Sequence, residues 1–390
     1  MSNIYHGSLV RFICDTVRRG LRSPRRVMRE LLGHGNEPPP QQAARQARIE
    51  SMVTAGDVAG ATAYACEIAE ESVRKRDSQT LSWISRPLER LEEYGKHGRY
   101  FMETRRLTRP IKKEWNGGEL PDGTLVVDYK YRNVGLPLRH ARMLAQAARR
   151  VKRCIALAEP RLVPLFQRSF PEVEVLADDA DKTKLFAEAD AVSCYTDLLA
   201  FFTDDARQLA DSFVPLKADP DVSERIRRRY ERENPGPFIG FSWGSSNRVK
   251  PAPEFREWSG ILGGMDATFV SLQYGEVGRA LKKLRKWSSG RLIHDETIDQ
   301  MKDMDTFAAQ LASLDAVIST SNTIAHLAGA MGIPSIVVLN DNFTQVWPFT
   351  GKTIGWYPET VLVRKEGRPW PIVLEDAHAE LRQLLARGQR

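Results

Sequence analysis

Short apolar segments that alternate with helix-like segments fill the chain from about residue 120 onward. The first of them, 124–128 (TLVVD), is typical of a buried strand, and a helix-like segment follows at 138–149. Further strand-like runs lie at 155–157, 173–176, 191–194, 238–243, 268–272, 316–319 and 335–339. Strands that alternate with helices at this spacing favour parallel sheets covered by helices, so the sequence predicts the α/β fold class.

The alternating pattern restarts after Pro235-Gly236-Pro237, and the charged segment 217–234 before it is typical of a connector between domains. We therefore predict two α/β domains, at 107–232 and 233–390, preceded by a helical segment at 1–106. Two such domains in tandem normally enclose a ligand cleft between the carboxyl ends of their strands.

Helix-like patterns dominate the first 106 residues. A basic amphipathic helix is predicted at 9–30, where seven arginines surround one apolar stripe formed by Leu9, Ile13, Val17 and Leu21. That helix fits either packing on the protein itself or peripheral contact with anionic lipid headgroups. After a proline linker at 38–40, two helix–turn–helix units are predicted, with turns at 56–57 and 95–97. Their offset of 39 residues indicates degenerate tetratricopeptide-like hairpins that cap the next domain.

Charge and cysteine usage narrow the class of protein. The net charge of +7 comes from 57 Lys and Arg against 50 Asp and Glu, and the excess is concentrated in the first thirty residues. No zinc-finger, basic-zipper or RNP pattern accompanies it, so we predict no nucleic-acid partner. The four cysteines lie far apart without a CxxC pair, and no apolar run reaches the ~20 residues of a membrane span. These features predict a cytoplasmic protein that has no disulfide framework and no metal site.

The stretch 316–339 carries the clearest chemical signal. A strand leads directly into Ser321, Asn322 and Thr323, whose short polar side chains suit the N-terminus of the small-residue helix that follows. Unpaired backbone N–H groups and the helix dipole at such a terminus favour a phosphate or diphosphate. His326 lies one turn inside this helix, where either a packing role or a ligand-binding role fits.

A second candidate is the polar loop after the strand at 238–243. Ser242, Trp243 and Ser245 open the loop, and Arg248 and Lys250 add two cations. Such a loop can wrap a diphosphate, although an ordinary loop with solvated charges fits the same residues. Neither candidate is a Walker A loop, and no GxGxxG follows a strand, so nucleoside triphosphate hydrolysis and dinucleotide binding lose support.

A series of motifs in one order resembles bacterial glycosyltransferases related to the heptosyltransferases, above all their tetratricopeptide-linked relatives. The motifs lie at 115–125 (WNGGELPDGTL), 140–142, 240–243, 270–275, 305–330 and 356–364, and the resemblance covers about 107–385. It implies a GT-B architecture, in which two Rossmann-like domains face a cleft. The first domain would bind the acceptor and the second the nucleotide sugar, with no metal and no cofactor.

The same resemblance implies roles for individual residues of the second domain. Ser321, Asn322 and Thr323 would contact phosphate, and His326 would support the site from within its helix. Gln273 and Tyr274 would line the nucleotide pocket.

One expected carboxylate is missing from the first domain. The family usually has a Gly-Asp pair after its first strand, with the aspartate as general base, but 130–137 reads KYRNVGLP and residues 129–158 contain no acid. A sugar hydroxyl needs a base to become a good nucleophile. Asp128, His140 and, on a later loop, Asp197 are the candidates to replace it.

Two hypotheses follow from the sequence. The first is a glycosyltransferase, inverting and metal-independent, that moves a sugar from a nucleotide donor onto a glycan, a lipid-linked acceptor or a protein. The Asp-x-Asp motifs at 179–181, 219–221 and 303–305 lie outside the loops where a diphosphate-bound metal is expected. The second is a catalytically inactive relative that keeps the fold and serves in binding or scaffolding.

Overall fold

The computed structural model describes residues 39–129, 134–244, 252–275, 277–288, 291–341 and 346–388. The predicted basic helix at 9–30 lies outside the described residues. So do Ser245, Arg248 and Lys250 of the predicted diphosphate loop.

The described chain begins with four consecutive helices. They are α1 (Pro40–Thr54), α2 (Val58–Arg74), α3 (Ser78–Arg90) and α4 (Tyr94–Thr108). Asp57 and Asp77 cap α2 and α3 by accepting hydrogen bonds from the third residue beyond them. Neighbouring helices pack through a small core of their own, which includes Ile49, Ala65 and Leu81. The similarity of these hairpins to tetratricopeptide repeats stays a prediction.

Two expectations for this segment were wrong. Pro40 begins α1 instead of lying in a linker, because proline is well tolerated at the first position of a helix. The predicted turn at 95–97 lies inside α4. Gly95 and Gly98 serve close packing there, since added Cβ atoms would lie only 2.3 Å from the Thr203 carbonyl oxygen and 2.6 Å from the Ala200 nitrogen.

A four-stranded parallel sheet follows the helices. Its strands are β1 (Leu120–Asp128), β2 (Val151–Ala158), β3 (Val173–Ala177) and β4 (Ala191–Cys194), in the order β3-β2-β1-β4. Its connecting helices are α5 (Gly135–His140), α6 (Met143–Ala148), α7 (Val163–Ser169), α8 (Lys182–Glu188), α9 (Leu199–Phe202) and α10 (Ala206–Asp211). The single helix predicted at 138–149 is therefore two helices.

Helix α11 (Pro220–Glu233) connects this sheet to a second, six-stranded parallel sheet. The strands are β5 (Phe238–Ser242), β6 (Thr268–Ser271), β7 (Leu292–Ile293), β8 (Ala316–Thr320), β9 (Ser335–Leu339) and β10 (Thr360–Arg364). The order β10-β9-β8-β5-β6-β7 places a topological switch point between β5 and β8, where open α/β sheets bind ligands. The helices are α12 (Ser259–Gly263), α13 (Gly278–Trp287), α14 (Met304–Ala312), α15 (Thr323–Ala330) and α16 (Trp370–Gly388).

The largest apolar core joins all three parts of the chain. It contains Tyr94 of α4, Leu125 of β1 and Val337 of β9, each fully buried. A separate core on the other face of the second sheet includes Ile318 and Val338. These observations confirm the predicted α/β fold with a helical segment before it, whereas the exact domain boundaries stay a prediction.

Candidate functional site

Asn322 organises the N-terminus of α15 at the switch point of the second sheet. Its side-chain Oδ1 accepts hydrogen bonds from the N–H groups of Ile324 and Ala325, at 2.9 and 3.2 Å. The predicted cap is therefore present in the structure. Because this oxygen occupies two of the first amide groups of the helix, those two groups do not face a ligand.

The Asn322 amide also ties three strand ends together. Its Nδ2 donates to Ser242 Oγ at 2.9 Å and to the Gly244 carbonyl at 3.0 Å. Ser242 Oγ and the Gly244 N–H in turn donate to Gln273 Oε1, at 3.1 and 3.0 Å. Residues at or just beyond the ends of β5, β6 and β8 thus form one hydrogen-bonded cluster, which we call the strand-end network. Buried Asn322 and Ser242 use their polar groups inside it, so their direct contact with phosphate stays a prediction.

A cavity of about 490 Å³ lies beside the strand-end network. Gln273 and Tyr274 line it together with residues after β7 such as His294, and their role in holding a nucleotide stays a prediction. Two buried atoms of this lining, Ser271 Oγ and His294 Nδ1, have no hydrogen-bond partner within the described protein. Buried polar groups normally find a partner, so a ligand with hydrogen-bonding groups would complete this wall.

His326 lies in an aromatic setting that the sequence did not reveal. Its ring stacks on Trp347, with centroids 5.1 Å apart and planes 6° apart, and its Nδ1 is 3.0 Å from the hydroxyl oxygen of Tyr357. Gly135 of α5 faces it, where an added Cβ would lie 3.3 Å from the imidazole ring. His326 therefore lies at the contact between the two α/β parts of the chain.

The remaining predicted donor-site residues differ in their surroundings. Ser321 is half-buried and accepts a 2.8 Å hydrogen bond from Trp347 Nε1. Thr323, the first residue of α15, is also half-buried. Trp243 packs between Phe241 and Phe255, at centroid distances of 5.3 and 5.6 Å, as part of the second apolar core.

Asp128, the first candidate base, ends β1 and is 2 % exposed. Lys182 of α8 donates to its Oδ1 at 3.0 Å and also pairs with Asp178. Burial lowers the pKa of Lys182, but its ion pairs with Asp178 and Asp128 outweigh that effect and raise it. Asp128 thus lies next to a firmly protonated ammonium group, at the carboxyl edge of the first sheet.

His140 is the last residue of α5, rather than lying near the start of a longer helix as expected. Its ring has no exposed surface and stacks on Trp356, with centroids 5.0 Å apart. Burial, followed by the charge of Arg139, lowers the pKa of His140 well below its ordinary value. The imidazole is therefore neutral at physiological pH, but the packing around it keeps it from direct contact with a ligand.

Asp197 is 1 % exposed and forms a 2.9 Å hydrogen bond with Arg105 of α4. Burial raises the pKa of Asp197 to about 6, against the opposing effect of the Arg105 charge. The ion pair joins the helical segment to the first sheet, which is a structural role for this carboxylate.

Four of the six aspartates in the three Asp-x-Asp motifs have structural contacts within the described residues. Asp181, Asp219 and Asp303 cap α8, α11 and α14. Asp305 forms a two-pronged ion pair with Arg168 of α7. Within the described ranges, no three His, Cys, Asp or Glu side chains gather as a metal site would require. None of the helices described combines the length and apolarity needed to cross a bilayer.

The fold and the switch-point site together define a GT-B type architecture, the class predicted from the sequence. A glycosyl transferase family 9 protein from Veillonella parvula shares it at a TM-score of 0.52 and 12% identity, over 70% of this chain and 100% of that one. The ADP-heptose lps heptosyltransferase II of E. coli aligns with a TM-score of 0.48 and 10% identity, over 69% and 100% of the two chains. At these identities the similarity shows the fold alone.

A sequence relative is known as well. Protein FlbA of Caulobacter vibrioides is 30% identical over 216 residues, which cover 51% of this chain and 36% of that protein. This chain thus matches about a third of the length of its relative. No protein-family model matches the chain.

Proposed function

We propose that this protein is a cytoplasmic glycosyltransferase that binds a nucleoside-diphosphate sugar beside the strand-end network. It would pass the sugar, with inversion and without a metal, to a hydroxyl of a glycan, a lipid-linked acceptor or a protein. The observation that carries the proposal is the cavity of about 490 Å³ at the carboxyl ends of β6 and β7, beside the strand-end network, with two buried polar atoms that have no partner in the described protein.

The charges and dipoles around the cavity suit such a donor. Helix α15 begins at the strand-end network, and Ser321 and Thr323 carry half-buried hydroxyls at that helix terminus. Gln273 uses its Oε1 in the strand-end network, while its Nε2 has no partner among the described residues and is free for a nucleotide. The diphosphate would lie at the helix terminus, with Arg248 and Lys250 as counter-charges.

We infer that Asp128 is the base that activates the acceptor. It ends β1 at the carboxyl edge of the first sheet, where an acceptor bound in the cleft would lie. His140 is enclosed by packing and Asp197 is held by Arg105, so both are weaker candidates. Lys182 would have to release or share the Asp128 carboxylate when the acceptor binds.

The Lys182–Asp128 ion pair also favours the alternative of an inactive relative. The Lys182 ammonium lies 3.0 Å from the Asp128 carboxylate, so an acceptor hydroxyl would have to compete with it for that oxygen. A protein that binds nucleotide sugars without turnover would keep the cavity and the strand-end network and would need no base.

A thermal-shift screen against ADP, UDP, GDP and CDP, in EDTA, tests donor binding. A nucleotide present at 100 times its dissociation constant adds about 2.7 kcal/mol to the free energy of unfolding. Gln273→Ala should weaken that response, whereas Gln46→Ala, on the distant helix α1, should leave it unchanged. If no nucleotide raises the melting temperature, the donor-site proposal fails.

An assay of sugar transfer then distinguishes the active glycosyltransferase from the inactive relative. Sugar transfer to any acceptor in EDTA supports the metal-independent enzyme. Binding of nucleotide sugars without transfer, across glycan, lipid-linked and peptide acceptors, supports the inactive alternative.

A further inference from the structure

Helix α13 presents a row of cations on one face. The row is formed by Arg279, Lys282, Lys283 and Lys286, which are spaced i, i+3, i+4 and i+7 and are all exposed. At 1.5 Å per residue the row extends about 10 Å. We call it the basic face of α13. The helix contains no acidic residue, and Arg285 adds a fifth exposed cation beside the row.

The basic face contributes little to holding the helix in place, apart from Lys286, whose charge in the last turn suits the helix dipole. Leu281 and Leu284 on the opposite side are buried in the second apolar core, and Trp287 packs partly against it. Apolar burial therefore fixes α13, while like charges four residues apart destabilise a helix slightly. This repulsion is not offset by ion pairs within the described chain, so we infer that the cations have a partner outside the chain.

The cations are also uncompensated. None of the four side chains of the row forms an ion pair or a hydrogen bond within the part of the chain that the structure describes. Helix α11 shows the contrast, because its Arg228 and Arg229 are paired with Glu224 and Asp295. Four neighbouring charges without counter-ions create a positive surface that attracts anions.

We propose that the basic face of α13 docks onto the anionic phosphate headgroups of a lipid bilayer. Lysine supplies three of its four cations, and an ammonium group acts as a point charge that suits an array of phosphates without fixed geometry. The row carries no aromatic or amide side chain with which to stack on or read a base, which disfavours nucleic acid. The apolar side of α13 is already buried, so the contact is electrostatic and does not insert into the bilayer.

Docking through the basic face of α13 also determines where the candidate nucleotide cavity lies relative to the bilayer. Gly278, its first residue, lines the candidate nucleotide cavity. A protein docked through the basic face therefore holds the mouth of that cavity next to the bilayer surface. This consequence rests on the proposed function and favours a lipid-linked acceptor over the soluble ones. The docking itself does not depend on it.

Vesicle flotation of the full chain tests the docking. We expect binding to phosphatidylcholine vesicles that contain about 30 mol% phosphatidylserine, and no binding to phosphatidylcholine alone. Binding should fall steeply between about 0.05 M and about 0.5 M salt, because screening shortens the reach of the charges. The triple variant Lys282→Glu, Lys283→Glu, Lys286→Glu should bind the anionic vesicles at least tenfold more weakly.

A matched variant carries the same change of net charge elsewhere. It replaces Arg225, Arg228 and Arg232 of α11 by glutamate, and it should keep most of the vesicle affinity. Both variants should keep the parent's response to nucleotide, since none of the replaced residues lines the cavity. The α13 variant should also keep the parent's melting temperature, whereas the α11 variant should melt slightly lower because it loses the Arg228–Glu224 ion pair.

Four results would overturn the docking proposal. They are failure of the parent to bind anionic vesicles, unchanged binding by the α13 variant, equal losses in both variants, and displacement of the vesicles by duplex DNA at equal phosphate. Unchanged binding by the α13 variant would assign the contact to another basic segment, such as residues 9–30. A parent that binds vesicles but no nucleotide would leave the docking standing and refute the proposed function.

Discussion

Asn322 Nδ2 donates a 2.9 Å hydrogen bond to Ser242 Oγ and so joins the cap of α15 to the last residue of β5. These two strand ends flank the switch point of the second sheet. The hydrogen bond fixes their separation before any ligand arrives. A site whose walls are already positioned loses less freedom on binding, which favours affinity.

Replacing Asn322 by alanine should damage both stability and donor binding. The variant loses the cap of α15 and the bridge to Ser242, so its free energy of unfolding should fall by about 1–2 kcal/mol in a urea titration. Nucleotide affinity should weaken by about 1 kcal/mol. Asn322→Asp keeps an oxygen for the cap but loses the donor to Ser242, so it should recover much of the stability. If the alanine variant binds every nucleotide as tightly as the parent does, the phosphate site lies elsewhere.

Replacing Asp128 by asparagine tests the base. A positioned base contributes about 100- to 10,000-fold, so turnover should fall by that factor while donor affinity stays nearly constant. His140→Ala is the comparison variant, and a similar loss there, with folding intact, would transfer the role to His140. The pH profile does not separate the two, because burial lowers the pKa of His140 and removes the activity loss near pH 6.5 expected of an ordinary histidine. Full turnover in both variants would point to Asp197 or to a group on the acceptor.

Asp197 should make stability depend on pH. The pKa of its carboxyl is about 6 in the folded protein and about 3.9 in an unfolded chain, so the folded state holds the proton more tightly between those values. Its contribution to stability therefore decreases as pH rises from about 4 to about 6, by up to about 1.4 kcal/mol per unit. Asp197→Asn removes that contribution. Urea titrations at several pH values should give a different slope for the variant, and identical slopes would mean that the carboxyl titrates normally.

Gly329 of α15 should not tolerate a side chain. An added Cβ would lie 2.5 Å from the ring of Tyr357, the partner of His326, so Gly329→Ala should lower the free energy of unfolding by about 1–3 kcal/mol. Gly260 of α12 is the control, because no atom lies within 4 Å of its added Cβ. Gly260→Ala should be neutral or stabilising by up to about 1 kcal/mol. Equal melting temperatures for the two variants would show that the Tyr357 contact is loose.

The sequence predicted the elements whose signals are local. The segment 316–339 reads as strand, cap, helix and strand, and β8, α15 and β9 occur within one residue of those bounds. Apolar runs and capping residues depend only on neighbouring positions, so predictions based on them hold in the folded structure. The prediction of a turn at 95–97 was wrong because Gly95 packs closely against Thr203, which lies more than one hundred residues away in the sequence.

The candidate site was likewise predictable only where its signals are local in the sequence. Gln273 and Tyr274 line a cavity because both follow a strand at the edge where ligands bind, while their contact with a nucleotide stays a prediction. The burial of His140, the pairing of Asp128 with Lys182 and the stacking of His326 on Trp347 depend on distant parts of the chain. No local sequence pattern predicts such contacts.

The core that contains Tyr94, Leu125 and Val337 limits how this architecture can be recombined. Each of these residues belongs to a different part of the chain, yet all three are sealed in one apolar interior. A chimera that exchanges only one sheet with a relative would set two unmatched halves of that interior against each other. The parts of this protein are therefore not interchangeable modules, and its packed interior has to be inherited whole.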